Sequence, residues 1–339
     1  MGTDHSERKV TIKEVAELAG TSKTTVSFYL NGKLDRMSDE TAERIRKVIE
    51  ETHYQPSMAA RSLNAKESKL IGVIIGDITN TFSNQVVKGI GSIAAPKGYQ
   101  MLVGNSDYNR QSEATYIDKM LAVGVDGFIV QPTARFHGLL ARIEDTGKPI
   151  VFFDSKLYDP TNSWVKTNNY EATYDAVSRC LDRGYERALV ISADPKLLST
   201  RIERFSGFVD AVEDKGAPHE SLMFEGDSLD SSEVREFLTK ELVPGTRTLV
   251  FVPNCWALPS VFTAMKALGC VMPDPIGLLS FDNTEWCEFS SPTVSTIVQP
   301  TFEEGQEACR ILLDQIEGTN ALERNRVLGC SVRWLESTL

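Results

Sequence analysis

The stretch Thr11–Gly32, TIKEVAELAGTSKTTVSFYLNG, reads as two short helices folded around Ala19, Gly20 and Thr21. Thr11 and Glu14 have the spacing of a capping box, in which each side chain satisfies a helix N–H that would otherwise lack a partner. Ile12, Val15, Ala16 and Ala19 then fall on one apolar face. Gly20 permits a sharp turn, and Ser22 is a natural N-cap for a second helix that points Val26 and Leu30 inward. Asn31-Gly32 stops it. Ser38, followed by the acidic Asp39 and Glu40, starts a third helix whose Ile45, Val48 and Ile49 complete a small core. The second helix is left with Lys23, Thr24, Thr25, Ser27 and Phe28 outside that core.

The rest of the chain is unlike this unit. From Lys69 onward, short apolar runs alternate with amphipathic helical ones. The apolar runs are LIGVIIGD (70–77), YQMLVGNSD (99–107), VDGFIVQP (125–132), PIVFFDS (149–155), RALVISAD (187–194), RTLVFVPN (247–254) and IGLLSFDN (276–283). Buried strands separated by helices imply parallel sheet covered on both faces. Roughly 270 residues exceed one comfortable sheet, so two α/β lobes are expected, about 70–168 and 169–298, with the C-terminal segment crossing back. The domain plan is therefore a helical headpiece over 1–53, a linker over 54–69 and a two-lobed core over 70–339.

Composition narrows the function. No run approaches 18 apolar residues, and the polar N-terminus MGTDHSERK lacks the apolar centre of a signal peptide, so a cytoplasmic protein is expected. Six scattered cysteines without a CxxC pair suit reduced thiols rather than a disulfide frame or a zinc site. Four histidines lack metal-ligand spacing, and no phosphate-binding glycine loop or G-x-S-x-G elbow is present, so neither an enzyme nor a cofactor or metal is expected. The net charge is −11, but residues 1–69 hold 12 Lys+Arg against 11 Asp+Glu, so the acidity belongs to the body. That asymmetry suits a protein that meets nucleic acid only through its front end, and also suits many enzymes.

A helix pair with a tight glycine turn can lay its second helix in the DNA major groove, where residues near its N-terminus reach base edges. The bland alternative is a three-helix cap on an enzyme. Lys23, Thr24, Thr25 and Ser27 favour the first reading, because a packing face would need more apolar content. In the body, Asp77, Asn105, Asp107, Gln131, Asp154, Asp194, Asn254, Asp282 and Gln299 stand at or just past strand ends, where doubly wound sheets bind ligands. Singly, each is as well explained as the start of a loop. Together they suggest a polar cleft that pairs with hydroxyls, with Phe82, Tyr108, Trp256 and Trp286 as stacking surfaces for a sugar.

The headpiece stretch, followed by YQPSMAARSL (54–63), resembles the lactose-repressor (LacI/GalR) family of bacterial transcription regulators, and the likeness covers essentially the whole chain. It implies a helix-turn-helix headpiece, a hinge helix entering the minor groove, a periplasmic-binding-protein-like core and a homodimer on near-palindromic double-stranded operator DNA. The DNA-facing set would be Thr11, Ser22, Lys23, Thr24, Thr25, Ser27, Phe28, Asn31, Arg61 and Leu63. Lys23 and Thr24 match base-reading positions, and Leu63 matches a wedge between base pairs. Phe28 stands where many members carry Arg; it either touches a thymine methyl or packs on the headpiece. The effector set would be Asp77, Phe82, Asn105, Gln131, Asp154, Thr200, Arg201, Arg204, Asn254, Trp256, Asp282, Trp286 and Gln299. Cys255, Ser155 and Ser228 depart from the family pattern and imply a remodelled pocket. KLIGVIIGDITNTFSNQVVKGI (69–90) with VDGFIVQPT (125–133) most resembles regulators of sugar-acid catabolism, of the 2-keto-3-deoxygluconate type. The resemblance thus implies a repressor governed by a carbohydrate or sugar-acid effector. The alternative is a stand-alone sugar-binding protein.

Overall fold

In a computed structural model, residues 10–54, 68–156, 162–226, 228–319 and 324–338 are described. The expected hinge residues Arg61 and Leu63 lie outside them. The chain divides into two compact units, 1–68 and 69–339.

In the first unit, α1 (Ile12–Leu18), α2 (Lys23–Leu30) and α3 (Asp39–Thr52) each begin on a side-chain cap. The Thr11 N–H donates to Glu14 Oε2 at 2.7 Å, while Glu14 N–H donates to Thr11 Oγ1 at 3.3 Å, so the capping box is complete. Gly20 adopts φ +62°, the left-handed turn that a side chain would strain. Val15, Ala16, Ala19, Val26, Ile45 and Tyr54 form the buried centre.

The second unit holds two six-stranded sheets. The first contains β1 (Leu70–Ile75), β2 (Gln100–Asn105), β3 (Gly127–Val130), β4 (Ile150–Phe153), β5 (Ser163–Thr167) and β11 (Asn325–Leu328). Their order is β11-β5-β4-β3-β1-β2, all parallel. The second contains β6 (Arg187–Ala193), β7 (His219–Phe224), β8 (Thr248–Val252), β9 (Ile276–Phe281), β10 (Ser295–Val298) and β12 (Ser331–Arg333), in the order β12-β10-β9-β8-β6-β7. Only β12 runs antiparallel there. β1, β3 and β4 are buried throughout, as both-face coverage requires.

Helices α4 (Thr81–Ala94), α5 (Arg110–Val123) and α6 (His137–Glu144) cover the first sheet; α7 (Asn169–Asp182), α8 (Ser199–Asp214), α9 (Ser231–Glu241) and α10 (Leu258–Ala267) cover the second. A short α11 (Thr284–Phe289) follows β9. The chain passes between the lobes after β5, again between β10 and α12 (Thr301–Glu317), and finally between β11 and β12. Helix α12 packs on α4 with the backbones touching. A Cβ at Gly305 would lie 2.1 Å from the Val86 carbonyl oxygen, and one at Gly89 2.1 Å from that of Phe302. Strand order reverses at β1 in one sheet and at β6 in the other, so the carboxyl ends there open two switch-point crevices. No helix of the described residues is long and apolar enough to cross a membrane.

Candidate functional site

On the headpiece, Lys23 and Thr24 are exposed at the start of α2. Their neighbours are committed to the fold. Ser22 Oγ accepts the Thr25 N–H at 3.1 Å, and its hydroxyl meets that of Thr25 at 2.9 Å. Asn31 Nδ2 donates to the Ser27 carbonyl at 2.8 Å, closing the end of the helix. Thr11 is held in its capping box. Phe28 is half-buried and is not among the α2 side chains, Val26, Tyr29 and Leu30, that form or pack on the core. The start of α2 thus offers one cation and one hydroxyl, with a half-buried aromatic one turn on.

In the core, a cavity of about 40 Å³ is lined by ten of the thirteen expected side chains: Phe82, Gln131, Asp154, Thr200, Arg201, Arg204, Asn254, Trp256, Asp282 and Gln299. Asn80, Tyr108, Leu198 and Cys255 complete the wall. Asp77 and Asn105 are used elsewhere: Asp77 Oδ1 accepts from Thr79, and Asn105 Oδ1 accepts the Ile78 N–H at 2.8 Å. Trp286 packs edge-on against Phe262 and lines an adjoining groove of about 330 Å³ instead.

Two aspartates face the cavity, one from each lobe, and both take left-handed backbone at a strand end: Asp154 after β4 (φ +61°) and Asp282 after β9 (φ +57°). Gln131 Nε2 donates to Asp154 Oδ2 at 2.8 Å while Gln131 Oε1 accepts the Gly76 N–H at 2.8 Å. Gln299 gives its backbone N–H and its amide to the two oxygens of Asp282, at 3.0 and 2.5 Å. Its own Oε1 accepts from Thr167 of the other lobe at 2.7 Å. Burial pushes the Asp154 carboxyl up to about 6, against the pull of Arg204 and Gln131. It likewise raises Asp282, opposed mainly by Arg204.

The cations come from α8. Arg204 donates through Nε to Asn169 Oδ1 at 2.7 Å and through one terminal nitrogen to the Pro253 carbonyl at 2.9 Å, and its guanidinium lies 3.7 Å from the Phe281 ring centroid. Arg201 sits over Tyr108, 5.7 Å from the ring centroid. Both arginines are buried, and burial lowers the Arg201 pKa. Among the described residues, neither guanidinium forms an ion pair with a carboxylate. Tyr108 needs Gly76 beneath it, since a Cβ there would lie 2.2 Å from the ring.

Asn254 orients the second lobe's switch point, accepting the Ala193 N–H at 2.9 Å. Trp256 stands edge-on to Phe224. Cys255 is a neutral thiol, pushed up to about 12 by burial, that donates to Asn80 Oδ1 across the lobes. Asn80 and Leu198 were not among the residues read from the sequence. Asn80 is the N-cap of α4, accepting the Phe82 N–H at 3.0 Å, and that capping position was its one legible signal.

This arrangement, a capped helix pair with an exposed second-helix start in one unit and a polar interlobe cleft in the other, matches known proteins over nearly the whole chain. Residues 11–57 match the profile of bacterial regulatory proteins, lacI family. Residues 68–245 match that of periplasmic binding proteins and sugar binding domain of LacI family, and 177–338 a periplasmic binding protein-like domain. The chain belongs to the LacI family. It is a sequence-specific DNA-binding transcriptional regulator and not an enzyme.

LacI-family relatives include the HTH-type transcriptional regulator KdgR of Bacillus subtilis, 32% identical over 91% of both chains. Another is the regulator PtxS of Pseudomonas aeruginosa, 30% identical over 92% of this chain and 91% of that one. The repressor CytR of Escherichia coli is 29% identical over 98% and 97%. In fold, the chain is similar to the lac repressor dimer bound to operator and the anti-inducer ONPF, with TM-score 0.81, 24% identity and coverage of 98% and 100%.

Proposed function

We propose that this regulator binds a sugar-acid effector of the 2-keto-3-deoxygluconate type in the interlobe cleft and controls a carbohydrate-use operon as a cytoplasmic homodimeric repressor. The carrying observation is the pair of buried arginines, Arg201 and Arg204, neither ion-paired with a carboxylate among the described residues. Asp154 and Asp282 act on these cations without contacting them as ion pairs, so a ligand carboxylate can still engage the guanidinium N–H groups through charge-assisted hydrogen bonds. Asp154, Asp282, Gln131, Asn254 and Gln299 suit hydroxyls, and Phe82 and Trp256 suit the apolar face of the ligand. The likeness to KdgR agrees with this chemistry.

On DNA, Lys23 and Thr24 read base edges, Phe28 meets a thymine methyl, and Arg61 and Leu63 act in the minor groove of a near-palindromic operator. The effector shifts the population between DNA-competent and DNA-incompetent forms. Calorimetry on the full chain tests the ligand class. 2-Keto-3-deoxygluconate or gluconate should bind at least about tenfold more tightly than the neutral sugar of matching hydroxyls, roughly 1.4 kcal/mol. Equal or tighter binding of the neutral sugar would refute the sugar-acid reading.

A further inference from the structure

The two cleft aspartates differ in what holds their backbone. The Asp282 N–H donates to the carbonyl of Ile297 on the next strand, β10, at 2.7 Å, as a strand end normally would. The Asp154 N–H finds a side chain instead: Glu304 Oε1, at 2.7 Å. Glu304 lies in the first turn of α12, directly after the second crossing between the lobes, and is fully buried without lining the cavity. Its other oxygen, Oε2, is buried and has no hydrogen-bond partner among the described residues. An ionised carboxylate with one hydrogen bond and, among the described residues, no cation within ion-pair distance is costly in such a place; a neutral acid is far less so.

We propose that Glu304 is a positioning residue of the effector site: a neutral carboxylic acid that fixes the left-handed backbone of Asp154 and ties this ligand-facing residue to helix α12. The proposal deepens the cleft reading above and rests on it for the ligand. The charged and titratable groups facing Glu304 are Asp154 after β4, Asp282 after β9, Arg204 on α8 and the Cys330 thiol between β11 and β12. Only one of these is a cation. Burial first, and Asp154 second, push the Glu304 carboxyl well above the ordinary glutamate range.

Its anchorage is also rigid. Gly305, the next residue, is where α12 touches the α4 backbone, so the Glu304 backbone sits at a close helix crossing. Ligand contacts at Asp154 therefore act on α12 through a single hydrogen bond.

Two measurements on the full-length chain decide this. Melting of the wild type and of Glu304→Gln is followed from pH 5 to pH 8. In the unfolded chain the glutamate ionises near its ordinary value of about 4.3, whereas in the fold it stays neutral, so wild-type stability drains away as pH rises. Gln does not titrate but keeps an acceptor for the Asp154 N–H. Its Tm advantage should therefore grow with pH to several degrees; a pH-independent difference would overturn the neutral acid. In calorimetry with 2-keto-3-deoxygluconate, Glu304→Ala should bind about tenfold more weakly and Glu304→Gln within about twofold of wild type. Wild-type affinity in Glu304→Ala would overturn the positioning role. If the wild type itself fails to bind this probe, the sugar-acid reading falls, and the melting series still decides Glu304.

Discussion

The headpiece and the interlobe cleft present polar side chains under opposite conditions. On α2, Lys23 and Thr24 are exposed and make no demand on the fold; water satisfies them until a partner arrives. In the cleft, Asp154, Asp282, Arg201, Arg204 and Gln299 are all more than nine-tenths buried, and Asp154, Asp282, Arg204 and Gln299 are hydrogen-bonded to other buried groups. A substitution on α2 should thus alter recognition without altering stability. One in the cleft should alter both, because it strands the remaining buried groups.

Arg204→Ala tests that contrast where the effect is largest. It removes a cation that holds down the Asp154 and Asp282 carboxyl pKa values. The core should lose about 2–6 kcal/mol, read by denaturant unfolding, since Asn169 Oδ1 and the Pro253 carbonyl are both left buried without their donor at about 1–3 kcal/mol each. Retained stability would mean that the cleft is better hydrated than its geometry implies. Lys23→Ala comes next. It should cost about 1–3 kcal/mol of operator affinity if Lys23 reads a base. Melting of either unit should be unchanged. A loss equal on random duplex DNA would make Lys23 a phosphate contact.

The headpiece was the more legible of the two regions because its signals are local. The Thr11–Glu14 box, the Gly20 turn and the Ser22 and Ser38 caps are each written within four residues, and all are formed. In the core, seven apolar runs gave β1, β2, β3, β4, β6, β8 and β9. Strands β5, β7, β10, β11 and β12 were missed. They are short or lie toward sheet edges, and β7 (HESLMF) buries only Phe224 fully, so apolar continuity fails there. The cleft residues were legible from polar groups at strand ends, but that signal cannot separate a ligand contact from a loop brace. Asp77 and Asn105 look like Asp154 and Asn254 in sequence, yet their side chains brace Thr79 and Ile78 and do not line the cavity. Glu304 gave no signal, since an acid in a helix first turn is ordinary until its burial is known.

Two smaller effects sharpen the comparison. Asp154 is raised to about 6 in the fold, above an unfolded value of about 3.9. The sign follows from proton binding: between those values the folded form holds the proton more tightly, so the core should lose stability as pH rises from about 4 to about 6. An Asp154→Asn chain should lose less over that window, as urea titrations would show; an identical profile would place the titration elsewhere. Thr11→Ala should cost the headpiece about 1 kcal/mol through loss of its cap, seen as faster amide exchange in α1, with the core unchanged.

The central claim is that the buried cleft governs what the exposed helix does. Fluorescence anisotropy of the full-length protein on a selected operator duplex, with and without 2-keto-3-deoxygluconate, tests it most directly when wild type and Arg204→Ala are compared. The effector should change the wild-type operator affinity by about tenfold or more, a coupling of at least ~1.4 kcal/mol. Arg204→Ala should bind operator as tightly as effector-free wild type and show no response. An Arg204→Ala protein that responds to the effector as the wild type does would contradict the account.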